Sequence, residues 1–319
     1  FLNKSAREKQ IDEASKAGFT GVLFEIKDAD GILYYSTSSA TAKKNEAIAS
    51  TAISKEDFKD FLNYCEKQSI TCIPRMNCFK DKTAAYKMAS ARVLLQGEPK
   101  YIWLDNTAAN GGKPWLNPYS PDAQSYLQDF IKELHDLGCK AICLDTVQFP
   151  EVTYLASYGN TKFSSLSMLD VLSKFVTDSQ KLAGDCQLIV SAAGLSTFSD
   201  STAIYGGNPL NFGAKIIAPE LYPSYFGKKR KTGNDVLYSP GSQSDVAVER
   251  SLSQITLRVK LMDKKKQPAV LPFIQGFFYS NTQSAAEIKA ATKKNPSAGF
   301  ILYTYDGIYD FDQYGLKKN

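Results

Sequence analysis

The segment Ala141-Ile-Cys-Leu-Asp-Thr-Val-Gln-Phe-Pro150 constrains the chain most. Its apolar first half reads as a buried strand, and it delivers one carboxylate, Asp145, at its C-terminal end. A helix leads into it. Ser120 and Pro121 form the helix start, and Ala123, Tyr126, Leu127, Phe130, Ile131, Leu134 and Leu137 recur at helical spacing before Gly138. The same alternation runs through the sequence. Helices are expected at Ser5–Ala17, from Ser54 to Gln68, and at Asp81–Leu95, Ser165–Ala183, Asp245–Asp263 and Ser284–Lys294. Strands are expected at Gly21–Asp28, Ile70–Asn77, Cys186–Ser191, Lys215–Ser224, Ala269–Gln275 and Gly299–Asp306. Nearly all-apolar strands separated by helices imply a parallel sheet covered on both faces or closed on itself. With the segment at Ala141 this makes seven strands, against the eight of a (β/α)8 barrel of the TIM type. The expected fold is therefore such an α/β barrel. Its first strand either precedes Phe1 or is cryptic near it, or else Tyr101–Leu104 supplies the eighth.

The chain has 319 residues, suited to one barrel domain spanning 1–319 with a basic loop insertion at 227–244. The net charge of +5 is modest and basic residues are dispersed among acidic ones, so no nucleic-acid partner is expected. Two basic runs, Lys228–Lys231 and Lys264–Lys266, read as solvated charge, with contact to an anionic polymer as the alternative. A single histidine, His135, on the helix before the Asp145 strand, argues against histidine-bound metal and against Ser-His-Asp chemistry. No metal and no cofactor are expected. The six cysteines contain no CxxC pair and read as buried thiols, with a Cys65–Cys72 or Cys72–Cys78 bridge as the alternative. No run reaches membrane-spanning length, and Phe1–Ser5 does not read as a signal peptide.

The strand ends carry the polar groups: Glu25, Lys27 and Asp28; Arg75 and Asn77; Asp145; Ser191; Glu220 and Tyr222; Gln275; Tyr305 and Asp306. In a parallel barrel they converge on the C-terminal rim, where barrel enzymes place their chemistry. Strict alternation puts Leu23, Glu25 and Lys27 on one face. Aromatic residues, Trp103, Trp115, Phe149, Tyr225, Phe277, Tyr279 and Tyr309, lie on adjoining loops. Carboxylates beside ring platforms and amides suit a sugar, and two carboxylates suffice for glycoside hydrolysis. Asp145 is the expected nucleophile or base. Glu220 is the first candidate acid, followed by Glu25 and Asp28. Lys27, Arg75, Trp103, Trp115, Tyr222, Gln275, Tyr305 and Asp306 are the expected substrate contacts. Each has a plainer reading: Glu25, Lys27 and Arg75 as an interior ion-pair network, Asp306 as a turn cap, and the tryptophans as core.

Several motifs in order, Glu25-Ile-Lys-Asp-Ala-Asp-Gly31, Leu144-Asp-Thr-Val-Gln-Phe-Pro150, Pro219-Glu-Leu-Tyr-Pro-Ser224, Leu271-Pro-Phe-Ile-Gln-Gly-Phe277 and Gly299-Phe-Ile-Leu-Tyr303, together resemble a bacterial family described as "putative glycosyl hydrolase domain". The resemblance implies a TIM barrel distantly related to the α-amylase-like glycosidases. Asp145 matches the family's aspartate, and Glu25, Lys27 and Asp28 match its acidic-Lys-Asp motif. The sequence departs from the family at Gln148, where arginine is usual, and at Glu220, where methionine is common. In amylase-like enzymes the nucleophile ends strand four, where Asp145 falls if the first strand is missing; Ser191 stands in the region of their acid. The expected function is glycoside hydrolysis of a polysaccharide or cell-wall glycan, by a monomer outside the cell or on its surface. The alternatives are a non-catalytic glycan-binding surface protein on the same scaffold, and a sugar-phosphate enzyme using Lys27 and Arg75.

Overall fold

The computed structural model describes residues 3–151, 154–159, 164–294 and 299–314. The main elements in chain order are α1 (Lys4–Lys16), β1 (Gly21–Lys27), β2 (Leu33–Tyr35), β3 (Ile48–Ile53), α2 (Lys55–Lys67), β4 (Thr71–Asn77), α3 (Pro121–Asp136), β5 (Ala141–Asp145), α4 (Ser165–Leu182), β6 (Gln187–Ala193), β7 (Ile216–Leu221), α5 (Ser244–Lys260), β8 (Ala269–Val270), β9 (Phe273–Gln275), α6 (Asn281–Lys294) and β10 (Ile301–Tyr303). Local chemistry explains the boundaries. Ser54 accepts the Asp57 N–H at 3.0 Å to cap α2, and Ser120 accepts the Ala123 N–H at 3.3 Å to cap α3. Gly138 takes φ +99° and ends the last turn after α3, where a side chain would be strained. The face of α3 bearing Ala123, Tyr126, Leu127, Phe130, Ile131 and Leu134 is buried. Each of its large side chains contributes roughly 1.5–3 kcal/mol by leaving water.

Strands β1, β4, β5, β6, β7, β9 and β10 run parallel as successive neighbours, and β8 also pairs with β7. Beyond β1, β2 pairs antiparallel with it at Lys27 and Leu33, and β3 lies parallel to β2. Ile73, Cys143, Ile189, Ala218, Phe273 and Ile301, with Leu23 against them, form a single inner cluster. Side chains from all seven parallel strands can meet in one cluster only if the sheet curls around them. Phe19, just before β1, packs edge-on against Phe300, just before β10, with centroids 6.2 Å apart. The two ends of the curl thus meet through side chains, while no ladder joins β1 to β10 among the described residues. The outer face of the sheet packs on the helices in a second, larger cluster.

Several expectations need correction. Tyr101 does not supply an eighth barrel strand. It lies in a strand at Glu98–Ile102 that pairs with Leu94–Leu95, in a separate three-stranded sheet completed by Ala156–Ser157. The helix expected over Asp81–Leu95 covers only Lys82–Lys87. Val93 donates its N–H to Trp115 O and accepts from the Trp103 N–H, so tertiary pairing outcompetes the helical spacing. The strand expected over Ala269–Gln275 is interrupted at Leu271-Pro272, where proline has no N–H to give the ladder. The basic insertion holds a hairpin, Lys229–Thr232 against Asp235–Tyr238, whose Leu237 and Thr232 are buried while Lys229 and Lys231 are exposed. All six cysteines are buried free thiols. No described helix is long and apolar enough to cross a membrane.

Candidate active site

A bulge in β1 sets which groups enter the barrel. Glu25 pairs with Arg75, but Lys27 pairs with Met76, so one extra residue is inserted between them. Glu25 therefore faces inward with Arg75, and Lys27 turns outward with Met76. The expectation that Glu25 and Lys27 share a face is corrected by this bulge. Lys27 is fully buried, with its ammonium 2.8 Å from an Asp81 oxygen and donating to Asn77 O at 2.7 Å. It braces the turn that follows β4 and does not reach the barrel mouth.

The inward groups of neighbouring strands form a polar chain. Arg75 donates to Glu25 at 2.7 Å on one side and to Asp145 on the other. The second Asp145 oxygen accepts the N–H of Thr146 at 2.6 Å. Thr146 itself takes φ +50°, an uncommon conformation for a β-branched residue, so the backbone kinks directly after Asp145. Both Asp145 oxygens are thus engaged. The Arg75 guanidinium lies 5.6 Å from the Tyr303 ring centroid. Burial opposes its charge, but Asp145, Cys143 and Glu25 outweigh that and hold it more firmly protonated than usual. Burial raises the Glu25 carboxyl above its ordinary value, with Arg75 pulling the other way.

Glu220 ends β7 two strands from Asp145. It accepts from the Ser191 hydroxyl at 3.0 Å, on the strand between them. It keeps partial access to solvent, yet protein encloses most of it. Burial, and next the negative charge of Asp145, push its carboxyl up to about 7. One carboxylate, Asp145, is ion-paired, and a second, Glu220, takes up a proton near neutrality. That division of environments suits acid–base work.

Other expected contacts sit differently. Asp28 is occupied as a turn cap, accepting the N–H groups of Asp30 and Ile32, both at 2.9 Å, and the Tyr34 hydroxyl at 2.7 Å. Trp103 and Trp115 are core residues. Their indole N–H groups donate to Tyr154 O and Asp105, and neither forms a wall of the mouth. Phe149 is buried too. Asp306 is exposed and accepts the Ile308 N–H at 3.0 Å, a capping bond that lowers its carboxyl below the ordinary range. Gln275 is fully buried and spends its amide on Ser224 and Phe277 O. Tyr222 is buried close to Glu220 and Asp145, which add to burial in raising its phenol. Tyr305 stands exposed at the mouth. His135 lies on the surface between Asp136 and Asp185.

Sequence reading missed two residues of this mouth. Tyr303 stacks on Tyr222 and meets Arg75; its inward position on β10 was legible, but it passed as part of an apolar strand. Phe278 is exposed with φ +61°, and only the run Phe277-Phe278-Tyr279 after a strand end hinted at it. Among the described residues, no group of three or more His, Cys, Asp or Glu side chains is gathered as a metal site would require.

The curled, mostly parallel sheet with helices outside it and carboxylates converging at its C-terminal end is the architecture of glycoside hydrolase barrels. The chain belongs to the family described as "Putative glycosyl hydrolase domain", which matches residues 1–309. No curated protein matches it. Among solved structures it is similar to a hypothetical protein from Ruminiclostridium thermocellum ATCC 27405, with TM-score 0.50 and 22% identity over 59% of this chain and 91% of that one. It is also similar to the pneumococcal exo-β-D-N-acetylglucosaminidase, with TM-score 0.55 and 10% identity over 98% of this chain and 78% of that one. The α-galactosidase of Thermus thermophilus gives TM-score 0.57 and 11% identity over 98% of this chain. This chain spans only 57% of that enzyme's chain. At these identities the likeness defines the fold.

Proposed function

We propose that the protein hydrolyses glycosidic bonds of a polysaccharide or cell-wall glycan, with Glu220 as general acid and Asp145 as the carboxylate acting at the anomeric carbon. The observation that carries this reading is the pair itself: two carboxyl groups at the C-terminal ends of β5 and β7, one ion-paired and the other protonatable. Glu220 would give its proton to the leaving oxygen as the C–O bond breaks. In a retaining reaction Asp145 forms the bond to the anomeric carbon, and water, deprotonated by Glu220, then releases the sugar. In an inverting reaction Asp145 takes a proton from the water that attacks, and no covalent intermediate forms. Arg75 holds Asp145 and Glu25 in place. The family's description and the glycosidase names among the structural neighbours support this reading.

One observation favours a second reading. Both oxygens of Asp145 already accept a hydrogen bond, from Arg75 and Thr146, so only the remaining lone pairs are left for a reaction. A protein that binds a glycan and leaves it intact makes no such demand on Asp145.

Reducing-end release from α-glucans, β-glucans, galactans and wall polysaccharides tests the proposal. Asp145→Asn and Glu220→Gln are each expected to lose about 100- to 10,000-fold of turnover. Turnover unchanged in both variants would overturn it. The anomeric configuration of fresh product, read by NMR, assigns the step at Asp145.

A further inference from the structure

Three large rings stand exposed together beside this site: Tyr225 at 54%, Tyr305 at 57% and Phe278 at 75% of their surface. Phe278 lies 5.9 Å from Tyr305 and 6.4 Å from Tyr225 between ring centroids. The Tyr225 and Tyr305 hydroxyls are hydrogen-bonded to each other, and Phe277 packs under Tyr305 at 4.2 Å. The rings come from three loops, those after β7, β9 and β10. Two of those loops are clamped to one another. The fully buried Gln275 accepts from the Ser224 N–H at 3.2 Å and its hydroxyl at 3.0 Å, and donates to Phe277 O at 2.9 Å. The clamp maintains two features that stability alone would remove. Phe278 holds φ +61°, a strained conformation for an aromatic residue. Its ring is also displayed to water within an apolar patch. The patch is continuous with the carboxylates. Tyr303 lies 5.7 Å from Tyr305 and 5.6 Å from Arg75, so rings lead from the ion pair outward to Phe278.

We infer that Phe278, Tyr225 and Tyr305 form a subsite for a sugar unit adjoining the one held at Asp145 and Glu220, so the preferred ligand is a glycan chain continuing over the loops after β7, β9 and β10. Ring faces cover the C–H face of a pyranose, and the paired tyrosine hydroxyls offer it hydrogen bonds. The inference rests on the glycosidase reading of the same site, but it concerns binding and can be separated from turnover.

The test is native electrophoresis of the full chain through gels containing soluble starch, β-glucan, galactan or bacterial wall polysaccharide, with reducing-end release measured in parallel. The variants are Phe278→Ala, Phe278→Trp and Tyr238→Ala, the last removing an equally exposed ring on the basic hairpin. Thermal unfolding of each confirms folding. At least one polysaccharide is expected to retard the wild type. Phe278→Ala should weaken that retardation about threefold to tenfold, and Phe278→Trp and Tyr238→Ala should keep it. Equal retardation of wild type and Phe278→Ala overturns the subsite. So does an equal loss in Tyr238→Ala, or no retardation of the wild type in any gel. Retardation that depends on Phe278 without turnover keeps the subsite and removes the hydrolase. Turnover with retardation indifferent to Phe278 does the reverse.

Discussion

Glu220 and Asp145 differ chiefly in their neighbours. Asp145 faces a guanidinium, whereas Glu220 faces a serine hydroxyl and the charge of Asp145. If Glu220 is the acid, its protonated form is the active one. The rate should then fall as pH rises through about 7, and a pH profile of kcat/KM reads that limb directly. A profile flat from pH 5 to 9 would place the acid elsewhere. Arg75 bridges two carboxylates in a largely buried setting. Arg75→Leu should therefore lose about 3–5 kcal/mol of stability, measured by urea unfolding, because it strands the buried Asp145 charge. At this scale much was legible. Alternation along apolar strands points Glu25, Arg75, Asp145 and Glu220 inward, and a lone acid on such a strand stands out. Lys27 was not legible, because a bulge leaves no mark in a pattern of side chains. Trp103 and Trp115 misled because a polar loop can fold into a small sheet and bury its rings.

Among the elements, α6 carries a group that no pattern of residue types singles out. Glu287 is fully buried and accepts the backbone N–H of Gln275 at 3.3 Å. Burial pushes its carboxyl up to about 8 from 4.5. The folded state thus binds this proton more tightly than the unfolded chain. Its contribution to stability is complete below about 4.5 and is lost as pH rises through about 8. Glu287→Gln keeps the hydrogen-bonding shape without the titration. Its stability, followed by urea unfolding from pH 5 to 9, should fall less with pH than that of the wild type. Parallel slopes would show that Glu287 is not protonated in the fold. Element boundaries followed capping chemistry where serine or glycine marked them, as at Ser54, Ser120 and Gly138. They failed where pairing partners lie far along the chain, as for Val93 with Trp103 and Trp115.

In the whole molecule, seven parallel strands curl around one inner cluster, and among the described residues no eighth strand lies between β10 and β1. The seven strands counted in the sequence are the seven parallel neighbours, but β2 and β3 escaped notice because β2 has only three residues and Ser50 and Thr51 interrupt the apolar pattern of β3. The seam depends on side chains instead, with Phe19 against Phe300 and, at 5.4 Å, Phe311. Phe19 is only partly buried, so Phe19→Ala should cost about 1 kcal/mol in urea unfolding, below the roughly 1.5–3 kcal/mol of a fully buried ring. A negligible loss would mean the seam is held elsewhere. The barrel matters to function because its curl turns the ends of β5 and β7, two strands apart in the sheet, toward one inner space that a single substrate can enter. The most direct test of that claim is reducing-end release from the polysaccharide panel by wild type and Asp145→Asn side by side. Turnover by the wild type and its loss in Asp145→Asn is the expected result. Equal turnover by the two proteins would contradict a glycosidase centred on the end of β5.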